Sequence, residues 1–98
     1  MADRILEILR TRREEVMALA ARHGARDPRV FGSVARGEER PDSDVDLLVG
    51  WEEGRSLFDL AGLKLDMEAL LQRPVEIISE KDVHWSIRDS VLREAMPL

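Results

Sequence analysis

Residues 31–49, FGSVARGEERPDSDVDLLV, join a Gly-Ser pair to two aspartates in an otherwise apolar run. Side chains at i and i+2 of a β-strand point to the same face, so Asp44 and Asp46 project together while Val45 and Leu47 face the core. Two carboxylates this close repel each other unless a cation lies between them. Mg²⁺ takes one or two carboxylates together with substrate phosphates, which makes the pair a candidate metal site. The spacing alone fits equally well an edge strand with two solvated aspartates.

The upstream pair Gly32-Ser33 favours the metal site over the solvated strand. A Gly-Ser turn that leaves a strand and enters a helical turn presents backbone N–H groups, and glycine allows an anion to approach closely. The Ser33 hydroxyl is able to donate to a phosphate oxygen. Each feature alone is common in ordinary turns and strands. In this order and at this spacing, they predict the two halves of a site for a nucleoside triphosphate and Mg²⁺.

Hydrophobic periodicity on both sides of this stretch predicts an α/β (α+β) fold, a small sheet with helices packed on it. The predicted elements are a helix over 3–23, a strand around 29–31, a helical turn closed by Gly37, a loop over 38–43, a strand over 44–49, a helix over 56–72, a strand over 74–79 and a helix over 86–95.

Several of these boundaries rest on capping and turn signals. Asp3 is the predicted cap of the first helix, and Gly24 is its stop. An S-x-x-D pattern predicts the start of a helix at Ser56 and again at Ser86. Pro74 fits an edge strand or the first position of a strand, because proline cannot donate to a neighbouring strand.

The composition limits the classes of function. A chain of 98 residues without cysteine is expected to form a single domain, here residues 1–98, with no disulfide framework and no thiolate metal site. It contains no apolar run near the roughly 18 residues needed to cross a bilayer, and its charged N-terminus is not a signal peptide. We therefore expect a cytoplasmic protein without a membrane partner.

Charge is divided unevenly along the chain. Residues 1–40 carry nine basic and seven acidic residues, whereas residues 41–98 carry six basic and thirteen acidic residues. Affinity for nucleic acid comes from a concentrated basic face, so this distribution argues against a nucleic-acid binder. Acidic residues gathered in one half suit a divalent cation or a basic partner.

The order Gly32-Ser33, ten residues, Asp44-Val45-Asp46 resembles the G-S-x10-D-x-D signature of the DNA polymerase β-like nucleotidyltransferase superfamily. The flanking Ala35-Arg36-Gly37 and Ser43 resemble its smallest branch, the minimal nucleotidyltransferases. The likeness is dense over residues 31–49 and weaker to about residue 79, with a further match at Arg93–Ala95.

The resemblance implies a mixed sheet, Mg²⁺ (or Mn²⁺) bound by Asp44 and Asp46, and nucleotide phosphates held at Gly32 and Ser33. It also places Arg36 and Ser43 in the nucleotide site. Arg36 either neutralises phosphate charge or forms a salt bridge with the acidic loop.

A third carboxylate on a later strand is usual in the family, and the candidate is Glu76 in VEII. A period of two lets Glu76 face away from the core. The resemblance implies Asp at this position, as in most family members, whereas this chain has Glu, which is one methylene longer. The alternative interpretation is that Glu76 is a solvated edge residue.

The implied reaction is in-line attack of a hydroxyl on the α-phosphorus, with pyrophosphate leaving. Two Mg²⁺ ions about 3.5–4 Å apart stabilise the attacking and leaving oxygens in such sites. Asp44 and Asp46 would hold the metals. Glu76 would complete the attacking-side site and help deprotonate the acceptor.

Members of the minimal branch commonly pair with a helical HEPN-domain protein as antitoxin and toxin, and some transfer AMP from ATP to a tyrosine hydroxyl of that partner. We therefore expect a Mg²⁺-dependent nucleotidyltransferase that uses ATP and modifies a protein hydroxyl. The alternative is a catalytically weak or inactive antitoxin-type module that neutralises its partner by contact. Glu76 favours that alternative, whereas the intact Gly32-Ser33 and both aspartates favour an enzyme.

Overall fold

The computed structural model describes residues 5–38, 40 and 43–98, so the predicted cap Asp3 lies outside the described residues. The elements along these ranges are α1 (Ile5–Thr11), α2 (Arg13–Arg22), β1 (Ala25–Phe31), α3 (Ser33–Arg36), β2 (Val45–Trp51), α4 (Leu57–Leu71), β3 (Val75–Ser79), a 3₁₀ turn (Glu80–Asp82), α5 (Trp85–Glu94) and β4 (Met96–Pro97). None of the helices in these ranges is both long enough and apolar enough to cross a membrane.

The four strands form one mixed sheet in the order β3-β2-β1-β4. β2 and β3 are parallel, with α4 connecting them, whereas β1 is antiparallel to both β2 and β4. The mixed sheet and the α/β architecture are confirmed. β3 is an edge strand, one of the two alternatives for Pro74, but it begins one residue later than predicted, at Val75. β4 was not predicted. It is two residues long, and only its pairing with Arg29 and Val30 of β1 defines it.

One face of the sheet and the helices above it form the core. Val45, Leu47 and Val49 alternate along β2 and are buried, together with Leu63 and Met67 of α4. The prediction that Val45 and Leu47 face the core is therefore confirmed. Since side chains alternate along a strand, Asp46 lies on the opposite face.

The predicted single helix over 3–23 is wrong, because the chain bends at Arg12 (φ −101°, ψ 22°) and forms two helices. The hydrogen bonds on either side continue, from Arg12 N to Ile8 O and from Val16 N to Arg12 O, both 3.0 Å. The bend allows Leu9 of α1 and Val16 of α2 to reach the same core.

β1 begins four residues earlier than predicted, at Ala25. Its pairing with β2 is interrupted between Arg26 and Arg29, where Asp27 has a φ of 50°. An irregularity of this kind carries charged residues and Pro28 through a strand, and it hides the strand from a search for alternating side chains.

The predicted capping box at Ser56 is confirmed: Ser56 Oγ accepts from Phe58 N at 3.2 Å, and Asp59 Oδ2 accepts from Ser56 N at 2.9 Å. The predicted start at Ser86 and Asp89 is wrong. α5 begins one residue earlier, and His84 caps it by accepting from Ser86 N at 3.2 Å through Nδ1. An imidazole nitrogen thus takes the role that the S-x-x-D pattern assigned to a hydroxyl.

Candidate active site

The three predicted carboxylates lie at the start of the two parallel strands. Asp44 immediately precedes β2, Asp46 is the second residue of β2, and Glu76 is the second residue of β3. Asp46 and Glu76 are direct partners in the parallel register, so their side chains leave the same face of strands that lie about 4.8 Å apart. Asp44 and Glu76 are exposed, and Asp46 is half-buried.

The pKa of Asp46 is raised by its burial and by the acids around it. Burial raises this pKa above its ordinary value, and the nearby charges of Asp44 and Glu76 raise it further. Arg36 opposes the rise. The local charge balance therefore favours an added cation.

Gly32 lies directly against Asp46. Its φ is 73°, in the left-handed region that favours glycine. A Cβ atom at this position would lie 2.4 Å from Asp46 Oδ2, which is well inside van der Waals contact. A side chain at residue 32 would therefore displace the Asp46 carboxylate from its present position beside the Gly-Ser turn.

Gly32 also leads into the predicted helical turn, which is confirmed as α3. Ser33 is the first residue of that turn and is half-buried, and Gly37 closes it with a φ of 71°. The turn that was predicted to hold phosphate is thus next to the carboxylates that were predicted to hold metal.

Ser43 makes two hydrogen bonds with the backbone of Arg40. Its Oγ accepts a hydrogen bond from Arg40 N at 2.7 Å, and its own N donates to Arg40 O at 2.9 Å. These bonds join Ser43, the residue before Asp44, to the backbone of Arg40. A contact between Ser43 and nucleotide stays a prediction.

Arg36 forms the salt bridge with the acidic loop that was one of its two predicted roles. Its Nε donates to Glu38 Oε2 at 3.2 Å, and its Nη1 donates to Glu94 Oε1 near the end of α5. It also lies near enough to Asp46 to affect that pKa. Sequence reasoning missed Glu94 as a neighbour of the site, and its only signal was the weak family match at Arg93–Ala95.

The donor set suits a hard divalent cation. Asp44, Asp46 and Glu76 offer oxygen ligands only, and one or two carboxylates with phosphates and water are what Mg²⁺ takes. As the side chains stand, the described residues contain no group of three His, Cys, Asp or Glu side chains arranged to hold one ion. Asp44 and Asp46 therefore fit Mg²⁺ together with substrate oxygens, and Glu76 is the neighbouring acid that could join them.

The sequence of the chain matches a known family over nearly its whole length. The model of the nucleotidyltransferase domain matches residues 3–97. The chain belongs to this nucleotidyltransferase family. Over 94 residues it is 39% identical to the protein adenylyltransferase MntA of Thermococcus cleftensis, covering 96% of this chain and 92% of that one.

Solved structures agree with the family. One described as "Structure of putative minimal nucleotidyltransferase" is 61% identical, has a TM-score of 0.86 and covers 95% of each chain. A second, "Crystal structure of the toxin-antitoxin with AMP-PNP", is 15% identical with a TM-score of 0.73, covers 86% of this chain and 69% of that one, and shares the fold. The expected assignment to the minimal nucleotidyltransferases of the polymerase β-like superfamily is confirmed, and the chain is a nucleotidyltransferase.

Proposed function

We propose that this minimal nucleotidyltransferase transfers AMP from ATP to a hydroxyl of a protein partner with Mg²⁺, as the antitoxin of a helical HEPN-type toxin. The observation that carries the proposal is the contact of the Gly32 turn with Asp46, beside Glu76 in register. A turn that binds phosphate, placed beside two acids that bind a metal ion, suits a substrate whose phosphates are bound together with that ion. The relative named a protein adenylyltransferase supports AMP as the transferred group and protein as the acceptor.

Each residue of the site has a task in this reaction. Asp44 and Asp46 hold Mg²⁺, which when bound stabilises negative charge on the attacking and leaving oxygens. The turn at Gly32 and Ser33 orients the phosphates, with Arg36 and Ser43 beside it. Glu76 takes the proton of the acceptor hydroxyl. The hydroxyl oxygen then bonds to the α-phosphorus, the bond from that phosphorus to the oxygen bridging to the β-phosphate breaks, and pyrophosphate leaves.

A protein acceptor suits the openness of the site. Asp44 and Glu76 are exposed, and the described residues pack around one core without a second lobe over the acids. We propose accordingly that residues 1–98 act as one domain and that the acceptor hydroxyl arrives on another protein.

The second candidate is a module that neutralises its partner by contact alone. It is favoured by Glu at position 76 and by α5, none of whose residues is buried. Trp85 is 81% exposed and Ile87 is 53% exposed, so both apolar side chains are accessible to a partner.

Label transfer separates the two candidates. The chain, the protein encoded by the adjacent reading frame and Mg²⁺ are incubated with ATP labelled at either the α- or the γ-phosphate. We expect label on the partner from α-labelled ATP only, and none when Asp44 and Asp46 are both replaced by Asn. Neutralisation of the partner without any label would show that contact alone suffices and would overturn the proposed transfer.

A further inference from the structure

The first residue of β3 is held by two charged side chains of α4. Glu68 Oε2 accepts from Val75 N at 3.1 Å, and Lys64 Nζ donates to Val75 O at 2.7 Å. The two side chains also meet each other, with Lys64 Nζ 3.2 Å from Glu68 Oε2. One ion pair thus satisfies both backbone groups of a single residue.

This arrangement occurs at the free side of an edge strand. Among the described residues, β2 is the only strand that pairs with β3. The outward-facing N–H and C=O groups of an edge strand ordinarily lack strand partners. On the inner side, Val45 N donates to Pro74 O at 3.0 Å. The start of β3 is therefore held to β2 through Pro74 and to α4 through Val75.

The residue that follows Val75 is Glu76, the candidate third carboxylate. Because the side chain of Val75 is buried and its backbone is held on the outer side, the direction in which Glu76 leaves the strand is set at this point. Its register partner is Asp46. A displacement of about 1 Å at a reacting group can cost roughly 10²-fold in rate, so the position of this strand start matters to the site.

We infer that Lys64 and Glu68 are positioning residues, which act through the backbone of Val75 to hold Glu76 beside Asp46. The inference rests on the proposed function, since it assigns a purpose to a contact outside the acids themselves. Neither side chain needs to touch the substrate. Both lie in partly buried contacts at the outer edge of β3, whereas the acids gather where β3 meets β2.

The test follows backbone amides by NMR during titration with MgATP. In the wild type, Gly32, Asp46 and Glu76 should all shift. In Glu68→Ala, Gly32 and Asp46 should still shift, but the response of Glu76 should be lost. Glu68→Gln keeps an acceptor oxygen for Val75 N and should restore part of the response, which also provides a milder variant if Glu68→Ala folds poorly. Glu15→Ala removes an exposed pair with Arg12 (3.4 Å) and should behave as the wild type.

Each other result overturns the inference in a recognisable way. An unchanged Glu76 response in both Glu68 variants would show that the contacts of Lys64 and Glu68 with Val75 do not position that carboxylate. Loss of the Gly32 and Asp46 responses as well, in both variants, would show a general structural role. If MgATP shifts none of these amides in the wild type, the proposed function fails, and the inference falls with it.

A double-mutant cycle adds a kinetic readout once the acceptor is in hand. Glu68→Ala should lower kcat for transfer about tenfold or more with little change in KM for ATP, and it should have no further effect in Glu76→Gln, because residues that act as a unit are not additive. Additive losses would contradict the role of Glu68 as a positioning residue for Glu76.

Discussion

Asp46 and Glu68 are acids on opposite sides of the start of β3, and their surroundings shift their pKa values in opposite directions. Burial raises the pKa of Asp46, and the neighbouring charges of Asp44 and Glu76 raise it further. The backbone N–H of Val75 lowers the pKa of Glu68, and the ammonium of Lys64 lowers it further. At Asp46, nearby positive charge does not offset the effects of burial and the neighbouring acids. The Glu68 carboxylate, in contrast, accepts hydrogen bonds from two donors.

This contrast distinguishes acids with favourable partners in the fold from acids that we propose as ligand-binding residues. Asp59 belongs with Glu68: the backbone N–H of Ser56 lowers its pKa within the capping box of α4. An unfavourable charge cluster persists only where the rest of the structure holds it in place, and such clusters gather at functional sites. We therefore propose that the acids at the start of β2 bind a ligand, whereas Asp59 and Glu68 of α4 stabilise the fold.

The largest effect should come from removing the charge of the metal pair. Asp44→Asn with Asp46→Asn should abolish MgATP binding and lower transfer by about 10³-fold or more, the upper scale for losing electrostatic stabilisation of a transition state. Thermal stability should rise or stay unchanged, because a repelling pair is relieved. Calorimetric titration and thermal unfolding measure both. A large loss of stability would mean that these acids support the fold.

Glu76 should affect the chemical step and leave binding nearly intact. Glu76→Gln is expected to cut transfer by roughly 10²-fold, the scale for losing a general base, while MgATP affinity stays close to the wild type. Glu76→Asp should retain much of the activity. If neither substitution changes the transfer rate, Glu76 is a solvated edge residue and the reaction rests on two carboxylates.

Gly32→Ala tests how closely the turn must approach Asp46. A methyl group would lie 2.4 Å from Asp46 Oδ2. The backbone of Gly32 (φ 73°, ψ −149°) also lies in a region almost confined to glycine, so an alanine there costs about 1–3 kcal/mol in backbone conformation. We expect a modest fall in the unfolding temperature and a loss of transfer between about tenfold and 10²-fold. Gly54→Ala is the control, since its φ is 83° but nothing lies within 4 Å of the added methyl. Equal loss of transfer in both variants would show that the contact of Gly32 with Asp46 is not the cause of the loss.

The smallest effects are the dependences of stability on pH, and they should have opposite signs. Because the folded pKa of Asp46 is raised above 3.8, Asp46→Asn should stabilise the protein at neutral pH, and the gain should vanish as the acid becomes protonated below the raised pKa. Because the folded pKa of Glu68 is lowered below 4.5, Glu68→Gln should destabilise the protein at neutral pH, and the loss should vanish as the pH falls through the lowered pKa. Thermal unfolding at a series of pH values measures both. Changes of the same sign would refute the comparison.

Local patterns in the sequence were enough to predict the local structure around the candidate site. Alternation in β2 placed Asp46 opposite Val45 and Leu47, and the capping box at Ser56 gave the start of α4 within one residue. The turn after β1 followed from Gly32, Ser33 and Gly37. Each of these depends on residues close together in the chain.

Features that depend on distant contacts could not be predicted in this way. The pairing of Asp46 with Glu76 joins residues thirty positions apart, and only the family resemblance suggested it. β4 exists because it pairs with β1, and the contact of Glu94 with Arg36 requires α5 to return beside α3. The cap at His84 was missed because the S-x-x-D rule considers hydroxyl side chains only.

The most direct measurement is the pKa of the Asp46 carboxylate itself, followed by carbon-13 NMR with and without Mg²⁺ and a non-hydrolysable ATP analogue. In the free protein this pKa should lie above 3.8, because of burial and the charges of Asp44 and Glu76. It should fall when the cation and nucleotide bind, because a nearby positive charge favours the ionised form. A pKa at or below 3.8 in the free protein, or one that does not change on addition of Mg²⁺ and nucleotide, would contradict the proposal that Asp46 belongs to the metal site.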